Sequence, residues 1–406
     1  MSETPWKSDK WFVSPWTFEP EVRHGMEFKR EIQFHDVSLR DGEQQAGITF
    51  SKDDKVRIAE KLAEAGIHRI EAGMPAVSKQ DEEAIKEIAR RKLGPKIFAF
   101  ARCMVEDVKR ARDCGVDGVV VEIPSSTHII QYAYKWPLQK AIDLSVEATR
   151  YAREQGLYTV FFPIDGTRAE FPWFLNLIET VARDGHMDAL GIVDTFGGLS
   201  PHAVGYLIKR VKERIKKPLE VHFHDDFGLG AANTIIALAA GADVAHTTVT
   251  AIGERAGNTP YEDVALGLKV LYGVDTGIKT EKMYELSKLV RKLAGIEVRP
   301  NRPIVGDMIF KIESGIISSW FKNCGLENAV ELMPFRWDVV GQEPAEVVLG
   351  KNSGADSIRM WLDRIGVDAT DEQVNTILWQ VKDFAYEHKR LMTQAEFEAL
   401  VAKVVK

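Results

Sequence analysis

The sequence predicts an α/β fold, a TIM (β/α)8 barrel, and three observations support this. Short β-branched or aromatic segments alternate with longer amphipathic segments from about residue 30 onward. Eight such pairs occupy about 250 residues, the usual size of this barrel. The first segment leads into "SLRDGEQQ", without the glycine-rich turn of a doubly wound open sheet, which is the alternative fold.

The eight predicted strands follow one another at the spacing of βα units. In chain order they read EIQFHDV, RIEAGM, KIFAFA, GVVVEIP, YTVFFPI, ALGIVDT, LEVHFHD and VAHTTVTAIG. Between the first two lies a predicted helix at 53–65, DDKVRIAEKLAEA, with apolar residues at three- and four-residue spacing. Ser51 stands where such a helix needs its N-cap.

The strand rhythm stops after Gly273, which predicts further domains. The expected order is an N-terminal arm at 1–27, a catalytic barrel at 28–275, a linker subdomain at 276–345 and a helical C-terminal subdomain at 346–406. The arm carries three tryptophans among prolines and charges. We expect it to pack on the barrel or on a neighbouring subunit.

Composition indicates a soluble globular enzyme. Hydrophobic residues make up 45% and charged residues 28% of the 406 residues. The net charge of −7 argues against a nucleic-acid partner, because such binding relies on clustered Lys and Arg. Three unrelated cysteines predict neither disulfides nor a zinc signature, and no apolar run suits a signal peptide or a membrane span. We therefore expect a cytoplasmic protein without a membrane partner.

Two histidines, His222 and His224, stand two residues apart at the end of the seventh predicted strand. Side chains at i and i+2 of a strand share a face. Asp41 follows the first strand and Asn258 the eighth, and closing a barrel brings strands seven, eight and one together. A lone His-x-His pair is more often one buried and one exposed histidine. With the two oxygen donors, the set predicts a divalent-metal site, suited to Zn, Mn, Fe or Co and less to Mg.

Arg40 stands next to Asp41 in the predicted site. A guanidinium there can stabilise an oxygen that gains negative charge during carbon–carbon bond chemistry. The alternative is a salt bridge to Glu71 or Glu43.

Several motifs occur in one order along the chain after residue 30. They are LRDGEQ (39–44), IPSSTH (123–128), DTFGGLSP (194–201), HFHDDFGLGAAN (222–233), GERAGN (253–258), NRPIVGDMIFKIESGI (301–316) and LGKNSG (349–354). This set resembles the DRE-TIM metallolyase superfamily. Within it, the chain looks most like the Claisen-condensing branch of isopropylmalate, homocitrate and citramalate synthases.

The resemblance implies a divalent metal, Mg, Mn, Zn or Co, held by Asp41, His222 and His224. Asn258 would be a ligand or a close partner. It also implies two small-molecule substrates, a 2-oxo acid and an acyl-CoA, most simply acetyl-CoA. Their condensation would give a 2-hydroxy acid and CoA, and the family suggests a homodimer.

The resemblance further implies which residues contact the substrates. Arg40 would stabilise the keto oxygen and Thr195 would bind the 2-oxo acid carboxylate, while Gln44 and Glu71 would line the pocket. Arg168 falls where the family often places a substrate-facing arginine. An equally good interpretation of Arg168 is a surface salt bridge to Glu170.

The chain departs from the family pattern in the region expected to face the acyl-CoA. Ile317 replaces a histidine that is associated with acid–base chemistry, Asn352 replaces another, and a tyrosine is missing from ELMPFRWDVVG (331–341). Phe100 stands where homocitrate synthases use a histidine, which makes homocitrate the least expected product. An apolar or aromatic substrate tail is expected instead.

These departures leave the proton-transfer group and the direction of the reaction open. Candidate bases are Glu254, Glu313 and His128, and His128 is also a candidate for substrate contact. One alternative function is a metal-dependent lyase or aldolase that cleaves a 3-hydroxyacyl-CoA or a 2-hydroxy acid. Another is a barrel that only binds. Because the chain ends soon after the predicted helical subdomain, we expect no C-terminal regulatory domain.

Overall fold

Eight parallel strands close into a barrel in chain order, with β1 paired to both β2 and β8. The computed structural model describes residues 4–405. The barrel strands are β1 (Gln33–Asp36), β2 (Arg69–Glu71), β3 (Lys96–Arg102), β4 (Gly118–Pro124), β5 (Tyr158–Ile164), β6 (Ala189–Asp194), β7 (Leu219–Phe223) and β8 (Val244–Thr247). Each lies within or nearly coincides with a predicted segment, so the TIM barrel is confirmed and the open sheet is excluded.

Each barrel strand is followed by a helix, from α2 after β1 to α9 after β8. The helices are α1 (Pro20–Arg23), α2 (Lys52–Glu64), α3 (Lys79–Arg91), α4 (Val105–Asp113), α5 (Leu138–Glu154), α6 (Phe171–Asp184), α7 (Pro201–Arg214), α8 (Gly230–Ala239), α9 (Tyr261–Gly267), α10 (Met283–Ala294), α11 (Gly315–Cys324), α12 (Ala355–Ile365), α13 (Asp371–His388) and α14 (Gln394–Val404). Within residues 4–405, none of them is long and apolar enough to cross a bilayer.

Helix α2 begins at the predicted cap. The Ser51 hydroxyl accepts a hydrogen bond from the Asp54 backbone N–H at 3.2 Å, and the Asp54 carboxylate accepts one from the Ser51 N–H at 3.1 Å. This reciprocal pair satisfies two donors that a helix start otherwise leaves unpaired. Val56, Ile58 and Leu62 form the buried face that packs α2 on the barrel. The cap and this buried face therefore fix the position of α2, the helix that follows the Arg40–Asp41 turn.

The chain divides into two compact units. One spans Thr17–Val298 and contains the barrel with α10, and the other combines residues 4–16 with 299–405. Within this second unit the arm pairs with the C-terminal region. Phe12 N–H donates to the Pro334 carbonyl at 3.0 Å, and Trp11 bridges to Phe335. Residues 4–16 of the arm thus pack on the C-terminal part of their own chain. Residues 17–27 contact the barrel unit instead, as expected: Arg23 Nη2 donates to the Leu271 carbonyl at 3.2 Å and the Glu27 N–H to the Ala239 carbonyl at 2.6 Å.

The C-terminal unit also contains a two-stranded parallel sheet, β9 (Lys311–Ile312) with β10 (Glu346–Val347), and helices α11 to α14. An apolar layer of side chains from β3 to β6 fills the barrel interior. In it, the rings of Phe100 and Phe162 pack edge to face with their centroids 5.9 Å apart. Such a packed layer leaves the carboxyl ends of the strands as the place for a site.

Candidate active site

Three buried donors meet at the carboxyl ends of β1 and β7. His222 Nε2 lies 3.0 Å from Asp41 Oδ2, and His224 Nε2 lies 3.5 Å from the same oxygen. His222 belongs to β7 and His224 follows it directly, so the i, i+2 spacing turns both rings to one side. The donor atoms of all three residues lie within 4.8 Å of one another. The predicted grouping of these three residues is therefore present.

Asn258 joins the cluster through the turn after β8. Its Nδ2 donates to Asp41 Oδ2 at 2.9 Å and lies 3.2 Å from His222 Nε2. Gly253, with φ of 151°, makes this approach possible, because a Cβ there would collide with the Asn258 side-chain oxygen. The Thr259 N–H donates to the Phe223 carbonyl at 3.0 Å, which ties the turn to β7. The GERAGN turn thus positions Asn258 by backbone geometry.

The protonation states of these groups suit metal binding. Burial alone would raise the pKa of Asp41, but Arg40 and the His222 hydrogen bond outweigh it and hold that pKa well below its usual range. Burial lowers the pKa of His222 to about 3 and also lowers the pKa of His224. The site therefore presents an ionised carboxylate and two neutral imidazoles, the forms in which these side chains bind metals.

Arg40 is held beside the cluster by three partners. Its Nε donates to Glu71, its Nη1 lies 3.5 Å from Asp41 Oδ2, and Nη1 also donates to Gln44 Oε1 at 3.4 Å. Its guanidinium lies 4.0 Å above the Phe100 ring. Nη2 is buried and has no hydrogen-bond partner within residues 4–405. Arg40 therefore forms the salt bridge to Glu71 and still has one donor, Nη2, available for a ligand.

A cavity of about 230 Å³ opens on this cluster. Gln44, Thr195 and Glu254 line it together with Arg40 and the histidines. The Thr195 hydroxyl oxygen accepts the Asp165 N–H at 2.8 Å, which leaves its own proton to donate. The Glu254 side chain is 57% exposed and lies at the cavity edge. These three predicted residues thus share a cavity with the Asp41–His222–His224 cluster.

Three other predicted residues lie outside the cavity wall. Glu71 is fully buried behind Arg40, where burial raises its pKa but Arg40 outweighs this and lowers it to about 2. His128 Nε2 is 3.1 Å from Asp165 Oδ2, and Arg168 Nε donates to Asp165 Oδ1 at 2.6 Å. The Arg168 salt bridge to Glu170 is therefore not formed, because Asp165 is the closer acceptor. Glu71 acts as the partner of Arg40 and does not form part of the wall.

The sequence analysis missed Glu122, which lines the same cavity. Burial raises its pKa to about 7, although Arg40 and Arg102 act in the opposite direction. One signal could have revealed it: Glu122 is the single acid in the β-branched run GVVVEIP.

A second buried polar group, also missed, lies inside the barrel. It consists of His35, His246 and Glu220. Glu220 Oε1 accepts from Arg69 at 2.7 Å, and Oε2 lies 2.8 Å from His246 Nε2. His35 Nε2 lies 3.3 Å from Glu71 Oε2, and burial lowers the pKa of His35 to about 4. Since both Glu220 oxygens are already occupied, we interpret the group as structural.

Replacing Glu220 by alanine should lower the free energy of unfolding by about 3–5 kcal/mol, because it strands the Arg69 charge inside the barrel. Denaturant unfolding of the wild type, the Glu220→Ala variant and a control variant would measure the change in the free energy of unfolding. Glu213→Ala removes an exposed partner of Arg210 and is the matched control, which should change stability little. Equal stability of the Glu220→Ala variant and the control would show that the pair contributes nothing.

The donor set fits a divalent cation. One carboxylate, two neutral imidazoles and an amide converge, and Asn258 Oδ1 has no hydrogen-bond partner within residues 4–405. This amide oxygen accepts no hydrogen bond, so it could serve as a fourth ligand. Rotation of the Asn258 side-chain amide would direct the oxygen into the cluster. Fold and site together define a TIM-barrel protein with a candidate divalent-metal centre.

The chain belongs to the HMGL-like family, whose model matches residues 31–290. A putative (R)-citramalate synthase of Archaeoglobus fulgidus is 39% identical over 378 residues, covering 92% of this chain and 76% of that protein. A probable 2-isopropylmalate synthase of Ignicoccus hospitalis is 40% identical over 377 residues, covering 93% of each. The resemblance inferred from the motifs is thereby confirmed.

A solved structure gives the same fold. The HMG-CoA lyase of Bacillus subtilis superimposes with a TM-score of 0.61 at 20% identity, covering 67% of this chain and 97% of that one. At this identity the likeness concerns the barrel fold alone.

Proposed function

We propose that the protein catalyses a Claisen-type condensation of an acyl-CoA, with acetyl-CoA as the first candidate, and a 2-oxo acid. The products would be a 2-hydroxy acid and CoA. The observation that carries this proposal is the buried Arg40 Nη2, which has no partner within residues 4–405 and stands beside the Asp41–His222–His224 donors. Relatives named as citramalate and isopropylmalate synthases support the same chemistry.

The reaction consists of four steps. A base takes a proton from the acyl-CoA α-carbon, and the new bond forms between that carbon and the keto carbon. The keto oxygen gains negative charge and then a proton, and water cleaves the thioester to release CoA. We propose that Arg40 Nη2 donates to that oxygen and that the Thr195 hydroxyl donates to the 2-oxo acid carboxylate. Two observations support these roles: Arg40 Nη2 has no partner within residues 4–405, and the Thr195 oxygen already accepts a hydrogen bond, which leaves its proton to donate.

We propose that the ion is held by Asp41, His222 and His224, with Asn258 as a fourth ligand or a close partner. When bound, a divalent ion would polarise the keto group as a Lewis acid. Two imidazoles and an oxygen donor favour Zn, Mn, Fe or Co over Mg.

Glu254 is our candidate for the base. It lines the cavity, and its 57% exposure puts it at the edge where a second substrate would enter. Ile317, which stands where the resemblance to the family leads us to expect a histidine, carries no titratable group. We therefore propose a carboxylate of the barrel unit, Glu254, as the proton acceptor.

Thiol release from acetyl-CoA would test the proposal. Metal-loaded protein would be offered 2-oxo acids from pyruvate to aromatic members, with the metal-stripped protein as control. We expect release that requires both the ion and one 2-oxo acid. Release from no member, together with cleavage of a 3-hydroxyacyl-CoA or 2-hydroxy acid, would assign a lyase instead.

We also propose a homodimer formed through the C-terminal unit. That unit exposes several large apolar side chains, namely Ile316, Trp320, Leu326, Trp379 and Tyr386. Exposed apolar surface of this kind is typical of protein–protein contacts. Light scattering of the purified protein would give its mass, and the mass of a single chain would contradict the proposal.

A further inference from the structure

Glu122 occupies an unusual position in the barrel. Alternation along β4 turns Val120 and Glu122 to the same side, and Val120 belongs to the apolar layer that fills the barrel. Glu122 is one step nearer the carboxyl end and pairs in register with Phe162 of β5. It lines the cavity that also contains Arg40 and Asp41. A carboxyl group therefore faces the site from the wall formed by β4.

This carboxyl group has no partner in the part of the chain that the structure describes. Within residues 4–405, no hydrogen bond and no ion pair to the Glu122 side chain is formed. The two nearby guanidinium groups have other acceptors: Arg40 is bonded to Glu71, and Arg102 binds Asp107 through Nε at 2.7 Å and Nη2 at 3.1 Å. Burial raises the pKa of Glu122 to about 7, as expected for a desolvated acid.

The rest of this wall is apolar. Phe100, Phe162, Ile164 and Val193 line the cavity near Glu122. Arg40 and Thr195 are the donors that suit the keto and carboxylate oxygens of a 2-oxo acid. A substrate held by those groups has its side chain left for the apolar wall. An unpaired polar group in such a wall disfavours an apolar side chain and favours one that can hydrogen-bond.

We propose that Glu122 is a specificity residue, and that the 2-oxo acid substrate carries a hydrogen-bond donor, such as a hydroxyl or amino group, on its side chain. The donor binds the Glu122 carboxyl group, and the carbon chain packs on Phe100 and Phe162. This inference rests on the proposed function, because it uses the 2-oxo acid as the bound group. It changes the expected substrate from a purely apolar tail to an apolar tail with one polar group.

Pairs of 2-oxo acids matched in size test the proposal. 3-Hydroxypyruvate is compared with 2-oxobutanoate, 4-hydroxy-2-oxobutanoate with 2-oxopentanoate, and 4-hydroxyphenylpyruvate with 4-methylphenylpyruvate, so that each pair exchanges a hydroxyl for a methyl group. For each acid, kcat and KM come from thiol release, and the dissociation constant comes from calorimetry with the metal-loaded protein without acyl-CoA. We expect a preference for the hydroxylated member of at least one pair of about 10-fold or more, in both kcat/KM and affinity.

The variants separate recognition from folding. Glu122→Leu should cancel or reverse the preference through KM, and Glu122→Gln, which keeps size and hydrogen-bonding capacity, should retain part of it. Glu147→Leu, an exposed change on α5, is the control and should leave the ratios unchanged. A retained preference in Glu122→Leu, or a wild type that favours the apolar member of every pair, would overturn the proposal.

The two readouts distinguish this inference from the proposed function. Thiol release without any hydroxyl preference would retain the condensation and reject the role of Glu122. Calorimetric preference that Glu122→Leu abolishes, in the absence of thiol release, would retain the role of Glu122 and reject the condensation.

Discussion

Replacing Asp41 by asparagine should remove the bound metal and, with it, thiol release. Asp41 Oδ2 is the oxygen on which His222, His224 and Asn258 converge, so a neutral amide there removes the only carboxylate of the set. Loss of an outer-shell partner typically lowers metal affinity by 10–100-fold, so loss of a ligand should lower it by at least about 100-fold. Asparagine has nearly the same shape, so the barrel should still fold.

Elemental analysis after gel filtration would measure the metal content, and circular dichroism would confirm folding. Asp184→Asn is the control, because it removes a carboxylate from an exposed pair with Arg183 and should keep the metal. A full equivalent of metal in Asp41→Asn would contradict the assignment. The same outcome would direct attention to the second buried group, and Glu220→Gln would then test whether His35, His246 and Glu220 hold the ion.

The barrel could be predicted because its strands alternate strictly with amphipathic helices. Strands β4 and β5 match their predicted segments residue for residue. The prediction for β8 extended to Gly253, but the strand ends at Thr247. Thr250 and Ala251 adopt positive φ there, although TTVTAI has the composition of a strand. β-Branched composition reports burial, and it does not reveal where a chain turns.

The grouping of the candidate metal ligands could be predicted because two simple rules locate them. Spacing of i, i+2 places His222 and His224 on one face, and strand ends meet at one end of a barrel. These rules could not identify Glu122 and His35, because both residues lie within a strand, β4 and β1, and their side chains point into the barrel. Which of two alternating faces is inward depends on strand register, and one sequence does not state it. The Arg168–Asp165 pair was missed for a related reason, since its geometry depends on the left-handed turn at Asp165.

The barrel interior links the site to the second buried group. Arg40 is bonded to Glu71, Glu71 lies near His35, and Glu220 is bonded to Arg69. Two cation–anion pairs, Arg40–Glu71 and Arg69–Glu220, thus lie in the barrel interior, with the neutral imidazole of His35 between the two carboxylates. In each pair the two opposite charges compensate each other, and removal of either partner would leave an uncompensated buried charge, which would lower the stability of the fold. This arrangement also fixes the orientation of the Arg40 guanidinium, on which the next prediction depends.

Replacing Arg40 by lysine should lower kcat by about 100–1,000-fold with the metal content unchanged, because it removes a preorganised donor to developing negative charge. Lysine keeps the positive charge beside Glu71, but it cannot reproduce a planar fork with Nε on Glu71, Nη1 on Asp41 and Nη2 towards the cavity. Steady-state kinetics of thiol release, combined with elemental analysis, would measure both quantities.

Arg183→Lys provides the matched control for this change. Arg183 binds Asp184 through Nε at 2.9 Å and Nη2 at 2.7 Å, but on the exposed side of α6, so its replacement should leave kcat unaltered. A loss in Arg40→Lys that appeared only in KM would mean that the guanidinium binds the substrate and the charged transition state equally well. A kcat within about threefold of the wild type would mean that the metal alone stabilises the developing charge. A large loss of kcat with full metal content is the result that separates the contribution of Arg40 from that of the ion.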